Sequence, residues 1–166
     1  MNLYMINLGG KVSGANIEVH DVQFAVADNI DNTIDLVKAS WYGMKKNLHM
    51  DSYTNIKGAD GYEVKVSKEK YSGNRKLFFV QLGGYDKDMT QELHRFAFFV
   101  AETVQEVKRK ALKEIEMFEE KGHIDQVVDV EECLLHKESE KYYISLDESE
   151  IDFNLSPDWF GFRRLD

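Results

Sequence analysis

Four short motifs in this 166-residue chain bring together side chains that could do chemistry. Glu18-Val19-His20 and Glu92-Leu93-His94 place a carboxylate two residues before an imidazole, and His49-Met50-Asp51 and His123-Ile124-Asp125 reverse the order. In extended backbone, residues two apart project from one face with Cα atoms about 7 Å apart, so each motif offers nitrogen and oxygen donors side by side. If the chain returns each His-x-Asp beside its Glu-x-His, two imidazoles and two carboxylates converge, a set that suits zinc or another divalent ion. The metal candidates are therefore Glu18, His20, His49, Asp51, Glu92, His94, His123 and Asp125. The same residues could instead lock a loop, since histidine beside a carboxylate forms a charge-assisted hydrogen bond and its second nitrogen is free for a backbone carbonyl. A spacing of two is a weaker metal signature than paired Cys-x-x-Cys. The expectation is thus a structural keystone with no cofactor, the alternatives being a divalent-metal site and a metal-free acid–base or ligand site.

The motifs recur because the chain does. Residues 3–51 lie over residues 77–125 without a gap, and eleven of the 49 pairs are identical, among them Gly9/Gly83, Gly10/Gly84, Glu18/Glu92, His20/His94, His49/His123 and Asp51/Asp125. Ordinary composition would give roughly three, and self-similarity at a fixed period decides the architecture before anything else. Each copy opens with an apolar strand, LYMINL or LFFVQL, followed by Gly-Gly and a loop to the Glu. A second strand follows, DVQFAVA or RFAFFVA; Val22, Phe24 and Val26 alternate as a half-buried strand does. The period then becomes helical: Ile30, Ile34, Val37, Trp41 and Met44 in one copy, Val104, Val107, Ala111, Ile115 and Phe118 in the other. Asn29 is an N-cap, Thr103 with Glu106 makes a capping box, and Gly43 and Gly122 are candidate stops. Two more strands end each copy, with Tyr62, Val64 and Val66 matching Tyr142, Ile144 and Leu146. The predicted fold is α+β: two tandem β-β-α-β-β repeats, residues 1–67 and 77–146, related by a pseudo-two-fold axis and packed as one globule, because about 70 residues alone bury too little surface. Residues 147–166 form a tail whose Trp159, Phe160 and Phe162 are expected to dock on the repeats.

Gly9, Gly10, Gly83 and Gly84, with Glu18, His20, Glu92 and His94, are the ligand-binding candidates. Backbone amides at the double glycines could cradle an anion, but no helix starts after them, so neither dinucleotide-binding nor P-loop logic applies. Positive φ for a bulge or turn is the expected reason for them. Cys133 has no matching ligand spacing and reads as a small apolar residue, not a nucleophile. No nucleophile-elbow pattern surrounds any serine, and catalytic residues are unassigned.

A formal charge of −9 argues against nucleic acid and anionic membrane as partners. The single cysteine fits a reducing, cytoplasmic setting, and MNLYMINLGG reads as a strand in place of a signal peptide. No apolar run approaches the roughly 18 residues that span a bilayer. The combination of LGG, Glu-x-His, apolar strand, helix and His-x-Asp resembles a bacterial family known only as a domain of unknown function, present in one or two copies per chain. That resemblance covers residues 3 to about 146, brings no activity, and implies that single-copy relatives are homodimers. The functional expectation is a small acidic binding or scaffold domain, monomeric or homodimeric and non-catalytic; the alternative is a divalent-metal-dependent, hydrolase-like enzyme.

Overall fold

The computed structural model describes residues 1–116 and 120–166, for Glu120 the backbone alone. Two sheets face each other. One holds β1 (Asn2–Gly10), β2 (Val19–Ala27) and β3 (His49–Asn55); the other holds β6 (Lys76–Tyr85), β7 (Leu93–Ala101) and β8 (Glu120–Asp129). Both have their earliest strand at the centre of the three, antiparallel to its neighbours. Asn2 pairs with Ala27 and Gly10 with Val19; Lys76 pairs with Ala101 and Gly84 with Leu93, every partner 74 residues further on.

Alternation along these strands sorts side chains between two faces. Leu3, Met5, Phe24 and Val26 meet Leu77, Phe79 and Val100 in a core between the sheets. Phe24 lies edge-on to Phe79 at 5.3 Å and to Phe98 at 6.0 Å, the arrangement that the ring quadrupole favours. The opposite faces are covered by helices. α1 (Ile34–Ser40) buries Val37 over Ile6, Leu8 and Ala25, and α2 (Val104–Ile115) buries Val107 and Ala111 over Phe78, Val80 and Leu82. Thr103 caps α2 by accepting from Glu106 N at 3.2 Å, and Glu106 returns its carboxylate to Glu102 N at 3.1 Å.

A third sheet closes one end of the core. Its strands are β4 (Gly58–Ala59), β5 (Tyr62–Ser67) and β10 (Tyr143–Glu148), with Val64 opposite Leu146 and Val66 opposite Ile144. Val64, Tyr142, Ile144 and Leu146 all enter the shared core. Across the described residues the chain is therefore a mixed α+β fold of eleven strands in three sheets with two short helices.

Several elements depart from the sequence expectations. Four strands per half becomes five, because β4 and the two-residue β9 (Leu134–Leu135) are added, and β9 pairs in parallel with β2 of the other half. The first helix is shorter than its periodicity suggests. It begins as a 3₁₀ turn over Ile30–Thr33, with Asn29 accepting from Asn32 N, and ends at Ser40. Trp41 turns to extended backbone and buries its indole, leaving Met44 outside the helix and exposed. Gly43 thus lies beyond the helix end, and Gly122 lies within β8 and not at a helix stop. Phe118 falls outside the described residues. In the C-terminal segment, β11 (Trp159–Arg164) extends the first sheet by pairing with β3, and Leu165 is buried. Trp159 is half-buried and stacks on Tyr53, whereas Phe160 and Phe162 are 77% and 66% exposed, contrary to the expected burial of all three. An edge strand has a solvent face, and both phenylalanines are on accessible positions.

Candidate metal centres

The double glycines are neither turn nor nest. Gly9, Gly10, Gly83 and Gly84 lie inside β1 and β6, and none has positive φ. Space explains the first of each pair. Gly9 is the cross-strand partner of His20 on one side and His49 on the other; Gly83 stands between His94 and His123 in the same way. Directly paired residues share a face, so both imidazoles lean over a position without a side chain. A Cβ on Gly83 would come within 2.7 Å of His123 Nε2, 2.7 Å of Asp125 Oδ2 and 2.9 Å of Glu92 Oε1. On Gly9 it would meet His49 Nε2 and lie 3.0 Å from His20 Cδ2. Gly10 instead makes room for the Trp41 ring on the opposite face.

The aspartates reach the same place through irregularities in β3 and β8. Leu8 pairs with Met50 and Asn7 with Ser52, so Asp51 is the extra residue between them; Leu82 pairs with Ile124 and Gln81 with Gln126, leaving Asp125 in the same position. An unpaired residue at a bulge is re-aimed out of the pleat.

Each set closes into an alternating ring of nitrogen and oxygen. His20 Nε2 is 3.6 Å from Glu18 Oε1 and 3.5 Å from Asp51 Oδ2; His49 Nε2 is 3.9 Å from Glu18 Oε2 and 3.4 Å from Asp51 Oδ1. His94 Nε2 is 3.3 Å from Glu92 Oε2 and 3.4 Å from Asp125 Oδ2; His123 Nε2 is 2.9 Å from Glu92 Oε1 and from Asp125 Oδ1. Every carboxylate thus spans both histidines. Within each set three residues, Glu18, His20 and His49 in the first and Glu92, His123 and Asp125 in the second, offer donor atoms that all lie within 4.8 Å of one another.

The tautomer follows from the backbone. His49 Nδ1 lies 2.9 Å from the Asn47 carbonyl and His123 Nδ1 2.8 Å from that of Lys121. A carbonyl only accepts, so Nδ1 carries the hydrogen, and the Nε2 lone pair of a neutral ring faces two carboxylates. Positive charge must stand between them, as a proton or as a cation. In the first set every separation exceeds the 3.2 Å limit for a good N–H···O bond. Each carboxylate meets its two histidines through different oxygens, so an ion would draw one oxygen of each carboxylate toward both rings. The shorter 2.9 Å pairs of His123 match charged hydrogen bonds. Asp125 Oδ2 is buried with no hydrogen-bond partner among the described residues, which is costly for an anionic oxygen unless a cation compensates it.

Surroundings distinguish the two sets. His49 is 3% exposed because Phe162 of β11 lies over it with ring centroids 4.3 Å apart. His123 is 40% exposed, and Tyr85 stacks beside it at 6.0 Å. The Tyr85 hydroxyl hydrogen-bonds to Glu92, and that bond with the carboxylate's charge raises its pKa above the ordinary phenol value. The Lys121 carbonyl holds the pKa of His123 above the usual imidazole value, with Asp125 and Glu92 adding to it against partial burial. Cys133 is remote in character: burial lifts its thiol to about 11, which suppresses nucleophilicity. Sequence reasoning missed Tyr85 and Phe162. Tyr85 aligns with Lys11 and so carries no repeat signal, and Phe162 lies outside both copies.

The family model that matches this chain describes a domain of unknown function, DUF1543, and covers residues 15–66, a span that includes all four members of the first set. No curated protein matches. Among solved structures, the chain is similar to the crystal structure of a protein Il1583 from Idiomarina loihiensis, with 27% sequence identity and a TM-score of 0.72, covering 99% of this chain and 97% of that one.

Proposed function

We propose that this chain binds two divalent metal ions, one in each His₂/carboxylate₂ set, on a fold built by internal duplication of residues 1–67 and 77–146, with residues 147–166 as a tail laid over the first set. One observation carries the reading: in both sets two imidazoles and two carboxylates that span them converge over a glycine, and in each set three donor atoms lie within 4.8 Å of one another. Two carboxylates and two neutral imidazoles carry a charge of −2, which one divalent ion balances. Zinc suits the imidazole and carboxylate donors, and the carbonyls of Asn47 and Lys121 act as the outer-shell acceptors that orient a ligating ring. Competition titration of the metal-free chain against a chromophoric zinc chelator tests this. Two equivalents are expected for the native chain and one each for His20→Ala and His94→Ala. Zinc uptake below a tenth of an equivalent in the folded native chain would refute it.

A second reading, a metal-dependent hydrolase, has one observation in its favour. The Glu92, His123 and Asp125 triad is half-exposed and has the Tyr85 hydroxyl on its Glu92, and three protein donors leave a zinc ion a position for water. Saturable, zinc-dependent hydrolysis of an activated ester, reduced at least tenfold by Tyr85→Phe, would establish it; turnover indistinguishable from free zinc would reject it.

A further inference from the structure

Part of the outer edge of β2 is uncovered. On one side β1 pairs with β2 over its whole length. On the other side β9 pairs only with Phe24 and Ala25. The chain reaches β9 through a 3₁₀ turn over Glu131–Cys133, so it does not run along the edge before Leu134. Among the described residues, nothing meets the outward backbone amides and carbonyls between Val19 and Gln23. Beside this stretch lies a cavity of about 560 Å³. Its lining includes the consecutive residues His20 to Phe24, so it straddles the edge and borders both faces of the strand. Alternation gives the two sides different character. Val22 and Phe24 point between the sheets, where Phe79 and Phe96 complete an aromatic wall. Asp21 and Gln23 share the α1 side with Ala25, and there Ser40 donates to Gln23 Oε1 at 2.7 Å. Apart from the ionisable rings of His20 and His94, Asp21 is the only charged side chain in the lining. It has no hydrogen bond or ion pair among the described residues.

An open strand edge offers main-chain hydrogen bonds to an added strand, and pockets on its two faces read alternate side chains of that strand. Directly opposed residues share a face. A guest residue opposite Val22 therefore enters the aromatic space between the sheets, and its two neighbours, opposite Asp21 and Gln23, lie on the carboxylate side. A carboxylate without a cation favours Lys or Arg at that neighbour, and the chain's formal charge of −9 attracts a basic segment. We propose that the edge of β2 between Val19 and Gln23 accepts an extended peptide as an added strand. One aromatic side chain of the peptide occupies the inter-sheet cavity, and an adjacent Lys or Arg pairs with Asp21. Neither Asp21 nor Val22 belongs to a His/carboxylate set, so the proposal stands apart from the metal reading.

Fluorescence anisotropy of dye-labelled Thr-Lys-Phe-Lys-Thr with the full chain tests the proposal. The palindromic order sets a Lys opposite Asp21 in either strand direction. Saturable binding of one peptide per chain is expected. Affinity should fall at least tenfold for Thr-Lys-Ser-Lys-Thr, which lacks the ring, and for Thr-Glu-Phe-Glu-Thr, which reverses the charge. It should fall as far for the parent peptide N-methylated at its three central residues, which keeps ring and charge but loses main-chain donors. Asp21→Lys should exchange the preference, binding the Glu peptide at least tenfold more tightly than the Lys peptide. The peptide comparisons on the native chain decide the matter even where that variant does not fold. No saturable binding, or equal affinity for the N-methylated peptide, would overturn the added strand. Displacement of the peptide by an equal concentration of phenethylamine would give the cavity to a small amine and overturn it too. So would sedimentation of the peptide-free chain as a dimer that Asp21→Lys dissociates, which would give the edge to a second copy.

Discussion

Replacing Gly83 by alanine should empty the second set while leaving the backbone at ease. Gly83 lies in β6 without positive φ, so alanine meets no conformational barrier there. Its methyl group would stand 2.7 Å from His123 Nε2, 2.7 Å from Asp125 Oδ2 and 2.9 Å from Glu92 Oε1. Comfortable contact begins near 3.5 Å, so these donors must retreat by about 0.6–0.8 Å. Metal sites tolerate deviations of about 0.2 Å, and the displacement is some three times that. Overpacking costs about 1–3 kcal/mol, partly offset by about 0.4–1 kcal/mol from the reduced freedom of the unfolded chain. The metal-free protein should therefore lose between nothing and about 2.5 kcal/mol, and zinc affinity at the second set should fall by more than the roughly 100-fold that loss of an outer-shell partner costs. Denaturant melts with and without chelator, alongside metal counting, read both quantities. One ion in place of two, with a folded metal-free state, is the expected result. Two ions bound with native affinity would refute the idea that Gly83 exists to make room for them.

His94→Ala should remove or weaken at least tenfold the second ion; a loss of about 1–3 kcal/mol of stability with both ions kept would instead favour a hydrogen-bonded keystone. Phe162→Ala should change global stability little, because the ring is 66% exposed, yet it uncovers His49 and should speed zinc release from the first set to a chelator. Equal release rates in the native chain and the variant would contradict a shielding role. Cys133, with its thiol lifted to about 11 by burial, should react with a disulfide reagent at pH 8 far more slowly in the folded chain than in denaturant; equal rates would show that it is not protected.

Much of the central fold was legible because it is written in local periods. The alternation of Val22, Phe24 and Val26 and the helical spacing of Val104, Val107 and Ala111 are properties of short windows, and β2 and α2 stand where those windows lie. What escaped depends on partners distant in the chain. The first helix stops at Ser40 because Trp41 finds a buried seat beside Gly10 and Gly43, which no helical repeat encodes. Pairing of β5 with β10 and of β9 with β2 joins one half to the other. At the site, residue types and spacing named the eight side chains, but a spacing of two in a regular strand leaves neighbours about 7 Å apart. Their convergence needs the extra residues Asp51 and Asp125 and the side-chain-free Gly9 and Gly83. Glycine between two histidines is visible only once three strands are in register.

Anomalous diffraction at the zinc edge, from crystals of the chain grown with zinc and without chelator, tests the two-metal claim most directly. Two peaks are expected, one between His20 and His49 and one between His94 and His123, each about 2.0–2.1 Å from both Nε2 atoms. Featureless maps at both positions, with the imidazoles instead drawn onto Glu18, Asp51, Glu92 and Asp125 in hydrogen bonds of about 2.7–2.9 Å, would contradict it.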